Sequence, residues 1–353
     1  MTWTECLRPA WAFDEAAAEL GGDILQSAAW GRLKEQFGWQ PWRFWHTARG
    51  GVDQTALILV RELWPGLRIG YLPRGPVGVG AGGYAEFAQF AKAVGRRLGC
   101  FLWRIDPDLP EGCLPPAALR SEGFRLRQDT GEFGGTQPRL VFRRKLGEAA
   151  PTPGADLRRK LRRAQEAGAC QVEGHEGLSD LLELLLDTKS RQGIELRAES
   201  YYRELWRILK AHGYGELLVV RRAGKATAAG IVARFGKRAT YLIGASSSEE
   251  RAHLPGYRLQ EGMIDWATGA GCTEYDLRGG SLYNRDYGLN RFKRQFGEET
   301  RLAGERDLPL RMPYLLFRAA EAVRPRIIPW LRGHGAWPAQ GRLLPEPGGG
   351  GTP

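Results

Sequence analysis

The sequence holds little of what thiol or metal chemistry needs. Its five cysteines, Cys6, Cys100, Cys113, Cys170 and Cys272, are odd in number and far apart, with no CxxC pair. That excludes a disulfide framework and a cysteine-based structural zinc site, and the five read as buried thiols in a reducing compartment. The five histidines are spread as thinly; none stands in an HExxH helix, and no serine sits in a GxSxG elbow. No apolar run approaches the roughly 20 residues that cross a bilayer. Glu5, Asp14 and Glu15 occupy the stretch where a signal peptide would be apolar, so the chain is expected to be cytoplasmic.

What is present is positive charge and a globular composition. Lys and Arg number 51 against 40 Asp and Glu, a net charge of +11. This suits nucleic acid, phosphorylated metabolites or a membrane surface without choosing among them. The 48 glycines and 21 prolines make up about a fifth of the chain, below the quarter or more that marks unstructured sequences. At roughly 100–200 residues per domain, 353 residues imply two domains.

Residues 27–37 read as a short helix ended by Gly38 and followed by a Trp-rich strand. A strand at 56–63, a strand ending in the Tyr71–Pro76 motif, a helix near 84–98 and a strand at 100–105 follow. The stretch 149–155, Ala-Ala-Pro-Thr-Pro-Gly-Ala, has the composition of a linker, and a basic helix 156–167 begins after it with Asp156 as N-cap. Then come helices 177–191 and 199–212, strands 215–221, 226–234 and 238–243, a helix 256–268 and a strand 274–277. The first half runs in a rougher version of this order, which implies an internal duplication.

Five tracts carry the candidate chemistry. In the segment from Gln26 to Trp39, Trp30, Leu33 and Phe37 share a helical face and Lys34 points off it, either solvated or offered to a ligand. Tyr71-Leu-Pro-Arg-Gly-Pro76 fixes its backbone with two prolines and a glycine, so Arg74 is a rigidly presented cation or part of a strand end. Phe101-Leu-Trp-Arg-Ile-Asp106 ends a strand on a carboxylate, as ordinary turns also do. Arg158, Arg159, Lys160, Arg162 and Arg163 place five cations in six positions around a helix. Such a spread suits phosphates better than intrahelical ion pairs, a solvated face being the alternative. Leu254-Pro-Gly256-Tyr257 opens a helix much as the pyrophosphate cradle of N-acetyltransferases does. However, Leu254 stands where their Gln/Arg-x-x-Gly-x-Gly/Ala signature has its first glycine, so backbone amides wrap an acyl-CoA pyrophosphate less freely.

Taken in order, QSxxWxxxKxxxGW, YLPRGP, the strand ending IDP, RRKLRRAQEAG, LPGYRLQxxxxxWAxxxGCxEYDLRG and GLNRFKRQFG resemble the Fem-type transferases. These are non-ribosomal enzymes that move an amino acid from aminoacyl-tRNA onto a peptidoglycan precursor. The resemblance covers about residues 23–300 and implies an α+β fold of two tandem N-acetyltransferase-like domains, in the form without a long helical hairpin. The first would span 1–148 and be completed by a returning segment 299–335; the second would span 149–298, and 336–353 would be a disordered tail.

The resemblance also implies site residues. Lys34, Arg197 with Tyr201, and Tyr241 match groups that hold the precursor's phosphates and sugar, with Arg74 grouped among them and Arg191 and Tyr202 as near competitors. Asp106 matches an aspartate at the acceptor end of the cleft, and Phe292 with Lys293 matches the pair facing the reacting ester. Phe101 departs from the family's tyrosine, and Phe296-Gly-Glu298 from its double glycine.

No cofactor or metal is implied. The implied partners are aminoacyl-tRNA, through Arg158, Arg159, Lys160, Arg162 and Arg163, and a UDP-linked or lipid-linked muropeptide precursor. In segment 311–332, Met312, Leu315, Leu316, Phe317, Ile327, Ile328 and Trp330 alternate with arginines. That is the composition of an interfacial helix at the inner face of the membrane, or of a closing helix packed on the first domain. Two other readings are an acyl-CoA-dependent N-acyltransferase of the same fold and a non-catalytic tRNA- or envelope-binding protein.

Overall fold

The structure is a computed structural model that describes residues 2–319 apart from 49, 115, 130, 166–167, 174 and 193–195. The tail expected at 336–353, and residues 320–332 of the interfacial segment, lie outside the described residues.

Two seven-stranded sheets organise the chain. The first half supplies β1 (Thr2–Glu5), β2 (Gln40–Ala48), β3 (Gly51–Trp64), β4 (Leu67–Pro73), β5 (Cys100–Asp106) and β6 (Arg125–Leu126). Its helices are α1 (Ala10–Glu19), α2 (Ala28–Glu35), α3 (Tyr84–Arg97) and α4 (Pro116–Ser121). The second half supplies β7 (Leu140–Lys145), β8 (Ala169–Glu173), β9 (Gly215–Arg222), β10 (Lys225–Phe235), β11 (Arg238–Ser246), β12 (Glu274–Gly280) and β13 (Glu298–Arg301). Its helices are α5 (Ala155–Gln165), α6 (His175–Gln192), α7 (Glu199–Ala211), α8 (Pro255–Gly269) and α9 (Gly288–Arg294), and β14 (Arg306–Pro309) follows. The strand orders are β1-β2-β3-β4-β5-β14-β6 and β13-β7-β12-β11-β10-β9-β8.

Each sheet joins an antiparallel meander to one parallel pair through a helical crossover: β4 to β5 by α3, and β11 to β12 by α8. The strand after each crossover then pairs antiparallel with a strand distant in sequence, β5 with β14 and β12 with β7. The chain thus enters the second sheet at Leu140, and the Pro/Gly-rich 149–155 is a loop within that unit, between β7 and α5. No long helical pair is inserted among the described residues, and none of their helices is long and apolar enough to cross a membrane.

Local chemistry explains the crossovers. On α3, Tyr84, Phe87, Ala88, Ala91 and Gly95 are buried, the three-to-four-residue spacing that turns one stripe to the sheet. A Cβ at Gly95 would collide with Leu310 and stand 3.0 Å from Trp103, so only glycine admits this approach. All seven residues of β5 are buried, as in a strand covered on both faces. Ser27 caps α2 by accepting from the Trp30 amide at 3.0 Å, and Gly38 ends that turn at φ 80°.

Two expectations need correcting. Asp156 lies inside the first turn of α5, which already begins at Ala155, not at its N-cap, and its carboxylate meets Arg159 and Lys160 at 2.5 and 2.7 Å. Cys113 is exposed, whereas Cys6, Cys100 and Cys272 are buried; all four are free thiols.

The halves share one apolar core. Phe13, Leu25, Leu33 and Tyr71 from the first pack with Tyr201, Trp206, Leu217, Ile231 and Phe235 from the second. This continuity fixes how the two sheets meet.

Candidate active site

The equivalent strands β5 and β12 end at this seam, each beside one candidate group. Asp106 is the last residue of β5. Its Oδ1 faces Arg74 Nη1 at 3.4 Å, while Oδ2 is buried and has no hydrogen-bond partner among the described residues. A buried carboxylate oxygen without a donor is costly, and an incoming ammonium is a group that satisfies it. Burial pushes the Asp106 carboxyl up to about 7 against the opposing pull of Arg74.

Lys293 lies on α9 and donates to the Gly279 carbonyl at 2.7 Å, using one of its three N–H donors. It is 4% exposed, and burial pushes its ammonium down to about 7, with Asp276 pulling the other way. A continuous path of contacts joins the two groups. Gly279 lies so close to Pro138 that a Cβ on it would collide with that ring. The Pro138 carbonyl accepts from Arg74 Nη2 at 2.6 Å, and Arg74 then meets Asp106. Arg74 itself is 1% exposed, so these protein atoms surround the cation that was grouped with the substrate-binding residues.

Backbone strain gathers here. Among the described non-glycine residues, Arg74 (φ 55°), Leu254 (φ 57°), Arg278 (φ 59°) and Ala223 adopt left-handed φ, at a cost of order 1–3 kcal/mol each. Arg74 follows β4, Arg278 sits in a break of register in β12, and Leu254 precedes α8. Leu254, which stands where the acetyltransferase signature has a glycine, therefore holds a left-handed conformation that favours glycine. A Cβ on Gly256 would come within 3.9 Å of Phe292, whose ring packs edge-on against Tyr257 and Phe296.

Lys34, Arg197 and Tyr201 come together although 167 positions separate the first from the last. Lys34 donates to the Tyr201 hydroxyl at 3.3 Å, and the Arg197 guanidinium lies 4.5 Å from the Tyr201 ring centre. Tyr202 instead accepts from the Arg197 backbone amide at 3.2 Å; the Arg191 side chain lies outside the described residues. Tyr241 stands with Lys293, whose Nζ is 5.8 Å from its ring centre.

On α5, Arg158, Arg159, Arg162 and Arg163 are exposed, but Lys160 turns inward to Gln295 at 2.9 Å and to the Tyr257 ring. The helix is thus tied to the region around Phe292, whose ring packs on Tyr257. Among the described residues no group of His, Cys, Asp and Glu could hold a metal ion.

Sequence reasoning missed an ion network along the seam. Asp108 accepts from Arg143 on β7 and, at 2.6 Å, from Arg238 on β11. Arg278 makes a bidentate pair with Asp23 at 2.9 and 3.1 Å, and Arg143 also reaches Asp276 at 3.2 Å. The visible hint was a second carboxylate two residues beyond Asp106.

Known proteins bear on this arrangement. Residues 154–294 match the acetyltransferase (GNAT) domain family. Lipid II:glycine glycyltransferases of Staphylococcus aureus and Staphylococcus saprophyticus are 25% and 24% identical over 391 and 392 aligned positions, covering 87% of this chain and 92% of theirs. The crystal structure of FemX superposes with a TM-score of 0.80 at 20% identity, covering 91% of this chain and 100% of that one. The C-terminal domain of a putative lysylphosphatidylglycerol synthetase from Agrobacterium fabrum reaches 0.53 at 15% identity, over 89% and 96% of the two chains. With its motifs in order, its twin sheets and this likeness along most of its length, the chain is a transferase with a tandem acetyltransferase-like fold, similar to the lipid II:glycine glycyltransferases.

Proposed function

We propose that the protein transfers an amino acid from aminoacyl-tRNA to the stem-peptide amine of a peptidoglycan precursor. The observation that carries this reading is a buried carboxyl at the end of β5 and a buried ammonium beside the end of the equivalent β12, linked through Gly279, Pro138 and Arg74. An aminoacyl ester is already activated. Its aminolysis needs a positioned amine, removal of one proton and stabilisation of the tetrahedral oxyanion. In this scheme Asp106 receives the proton of the attacking ammonium and the nitrogen bonds to the ester carbon. Lys293 stabilises the oxyanion, the ester C–O bond breaks, and the ribose oxygen leaves with the second proton given up by the attacking nitrogen. Lys34, Arg197, Tyr201 and Tyr241 hold the precursor's phosphates and sugar. The direct test is incubation with a pool of labelled aminoacyl-tRNAs and both precursor forms, followed by mass identification of the product; no amide product ends the proposal.

The tRNA-binding surface is assigned to Arg158, Arg159, Arg162 and Arg163, with Lys160 anchoring the helix. Binding to phosphates releases counterions, so affinity falls with salt. Replacing Arg158, Arg162 and Arg163 by glutamine is expected to reduce the slope of log affinity against log salt by about one for each phosphate that is no longer neutralised. An unchanged slope in a filter-binding titration puts the tRNA elsewhere.

Of the two precursor forms, the lipid-linked one is favoured by a surface. In helical residues 313–319, Tyr314 and Phe317 pack on Ile69, Phe101 and Leu102, while neighbouring Met312, Leu315 and Leu316 are exposed. Exposed Trp64 lies at the end of β3 next to Leu63, which packs on the same cluster. These side chains, with Arg311 and Arg318 among them, suit the boundary of an anionic bilayer. Replacing Leu315 and Leu316 by aspartate is expected to lower co-flotation with phosphatidylglycerol vesicles at least tenfold; equal flotation of both proteins refutes membrane binding through this surface.

A further inference from the structure

The network around Asp108 is built differently from an ordinary surface ion pair. Its carboxylate belongs to the first half, two residues past Asp106, yet both of its cations, Arg143 and Arg238, rise from the second sheet. The same polarity recurs beside it: Arg278, adjacent to the glycine that holds Lys293, reaches across to Asp23 of the first half. Arg238 joins the two pairs, standing 2.6 Å from Asp108 and 3.7 Å from Asp23. Asp23 and Asp276 are 0% and 1% exposed at their side chains, and Asp108, Arg143, Arg238 and Arg278 lie between 11% and 16%. Pairs so far from water hold a fixed geometry, because losing either partner strands a buried charge.

We infer that Asp108, clasped by Arg143 and Arg238, is a positioning residue that sets the separation of the two sheets and, through it, the alignment of Asp106 against Lys293. The inference rests on the transfer reading above but concerns residues that play no chemical part in it. Asp108 also acts on Asp106 electrostatically. The charged and titratable groups facing Asp106 are Arg74 after β4, Tyr71 on β4, Asp108 beyond β5, Asp23 before α2, Glu305 before β14 and Arg306 on β14. Burial acts to raise the Asp108 carboxyl, but Arg238, Arg143 and Arg74 hold it well below the usual carboxylate range. It therefore stays ionised and helps keep its neighbour protonated to higher pH. Two carboxyls two residues apart are thus driven to opposite protonation behaviour, one as an anchor and one for proton transfer.

The test is Asp108→Asn, read in two ways. In steady-state kinetics kcat is expected to fall at least tenfold with the acceptor KM unchanged, and the acid limb of the pH profile to move to lower pH. Independently of any activity, the Asp106 carboxyl, assigned by its disappearance in Asp106→Asn and followed by carbon-13 NMR, is expected to titrate at lower pH in Asp108→Asn. Both changes share a sign, since the substitution removes a negative neighbour and leaves two cations unmatched. Adding Arg238→Ala to Asp108→Asn is expected to cost little more than Asp108→Asn alone, because the two act as one unit. A folded Asp108→Asn protein whose Asp106 titration is unmoved overturns the inference, as does a double variant whose loss is the product of the single losses. A wild-type protein that transfers nothing refutes the proposed reaction and leaves the NMR test of Asp108 standing.

Discussion

Replacing Lys293 by alanine is expected to lower kcat by about 10² to 10³ while leaving the acceptor KM within twofold, the cost of removing one well-placed oxyanion donor. The surroundings of the ammonium are the reason. Lys293 is nearly enclosed, Gly279 takes one of its N–H groups, and the Tyr241 ring stands on another side. A cation held this way, far from water, acts strongly on charge that develops only in the transition state, so its loss falls on kcat rather than on ground-state binding. Stability is expected to change less than activity, because the buried ammonium already carries a desolvation cost. Single-turnover rates on preformed complex decide the matter; a rate within twofold of wild type removes Lys293 from the chemistry.

The second large effect is on pH. Asp106 acts as a base only when ionised, and its raised pKa means that this form is lost as pH falls through about 7. Lys293 acts as a cation only when protonated, and its lowered pKa means that this form is lost as pH rises through about 7. With both midpoints close together, kcat/KM is expected to trace a narrow bell centred near neutrality. Bound substrate separates the limbs, since its ammonium favours ionised Asp106 and its oxyanion favours protonated Lys293; the kcat profile is therefore broader. Asp106→Asn is expected to abolish the acid limb and lower the plateau about 10² to 10⁴-fold, the usual contribution of a general base. A flat wild-type profile from pH 5 to 9, or an acid limb that survives Asp106→Asn, assigns the proton transfer to another group.

The elements that showed in the sequence were those whose own side chains repeat. The stripe of α3 and the Ser27 cap of α2 are local patterns, and the helices they predict lie within two residues of the observed ones. By contrast β6, β13 and β14 have two to four residues each, too few for alternation to register, and exist because a sheet edge or gap receives them. The candidate site divides the same way. Asp106, Phe292 and Lys293 stand in contiguous motifs. The Asp23–Arg278 pair joins residues 255 positions apart, and nothing near either one in the chain marks the other as its partner. Lys34 illustrates the limit of a helical wheel: it points off the apolar face of its own helix, yet Tyr201 from the other half covers it.

The exchange of strands between the halves bears on how this polypeptide is made. β14 inserts between β5 and β6, and Asp307 on it accepts from Arg104 at 2.8 Å and from Arg127 at 3.0 Å, all three being buried. Until residues 306–309 emerge from the ribosome, the first sheet has a gap and two arginines without their carboxylate. A nascent chain released anywhere before that point leaves its earliest-synthesised domain unfinished, so translation must run almost to the last described helix before Asp106 at the end of β5 has a settled sheet around it.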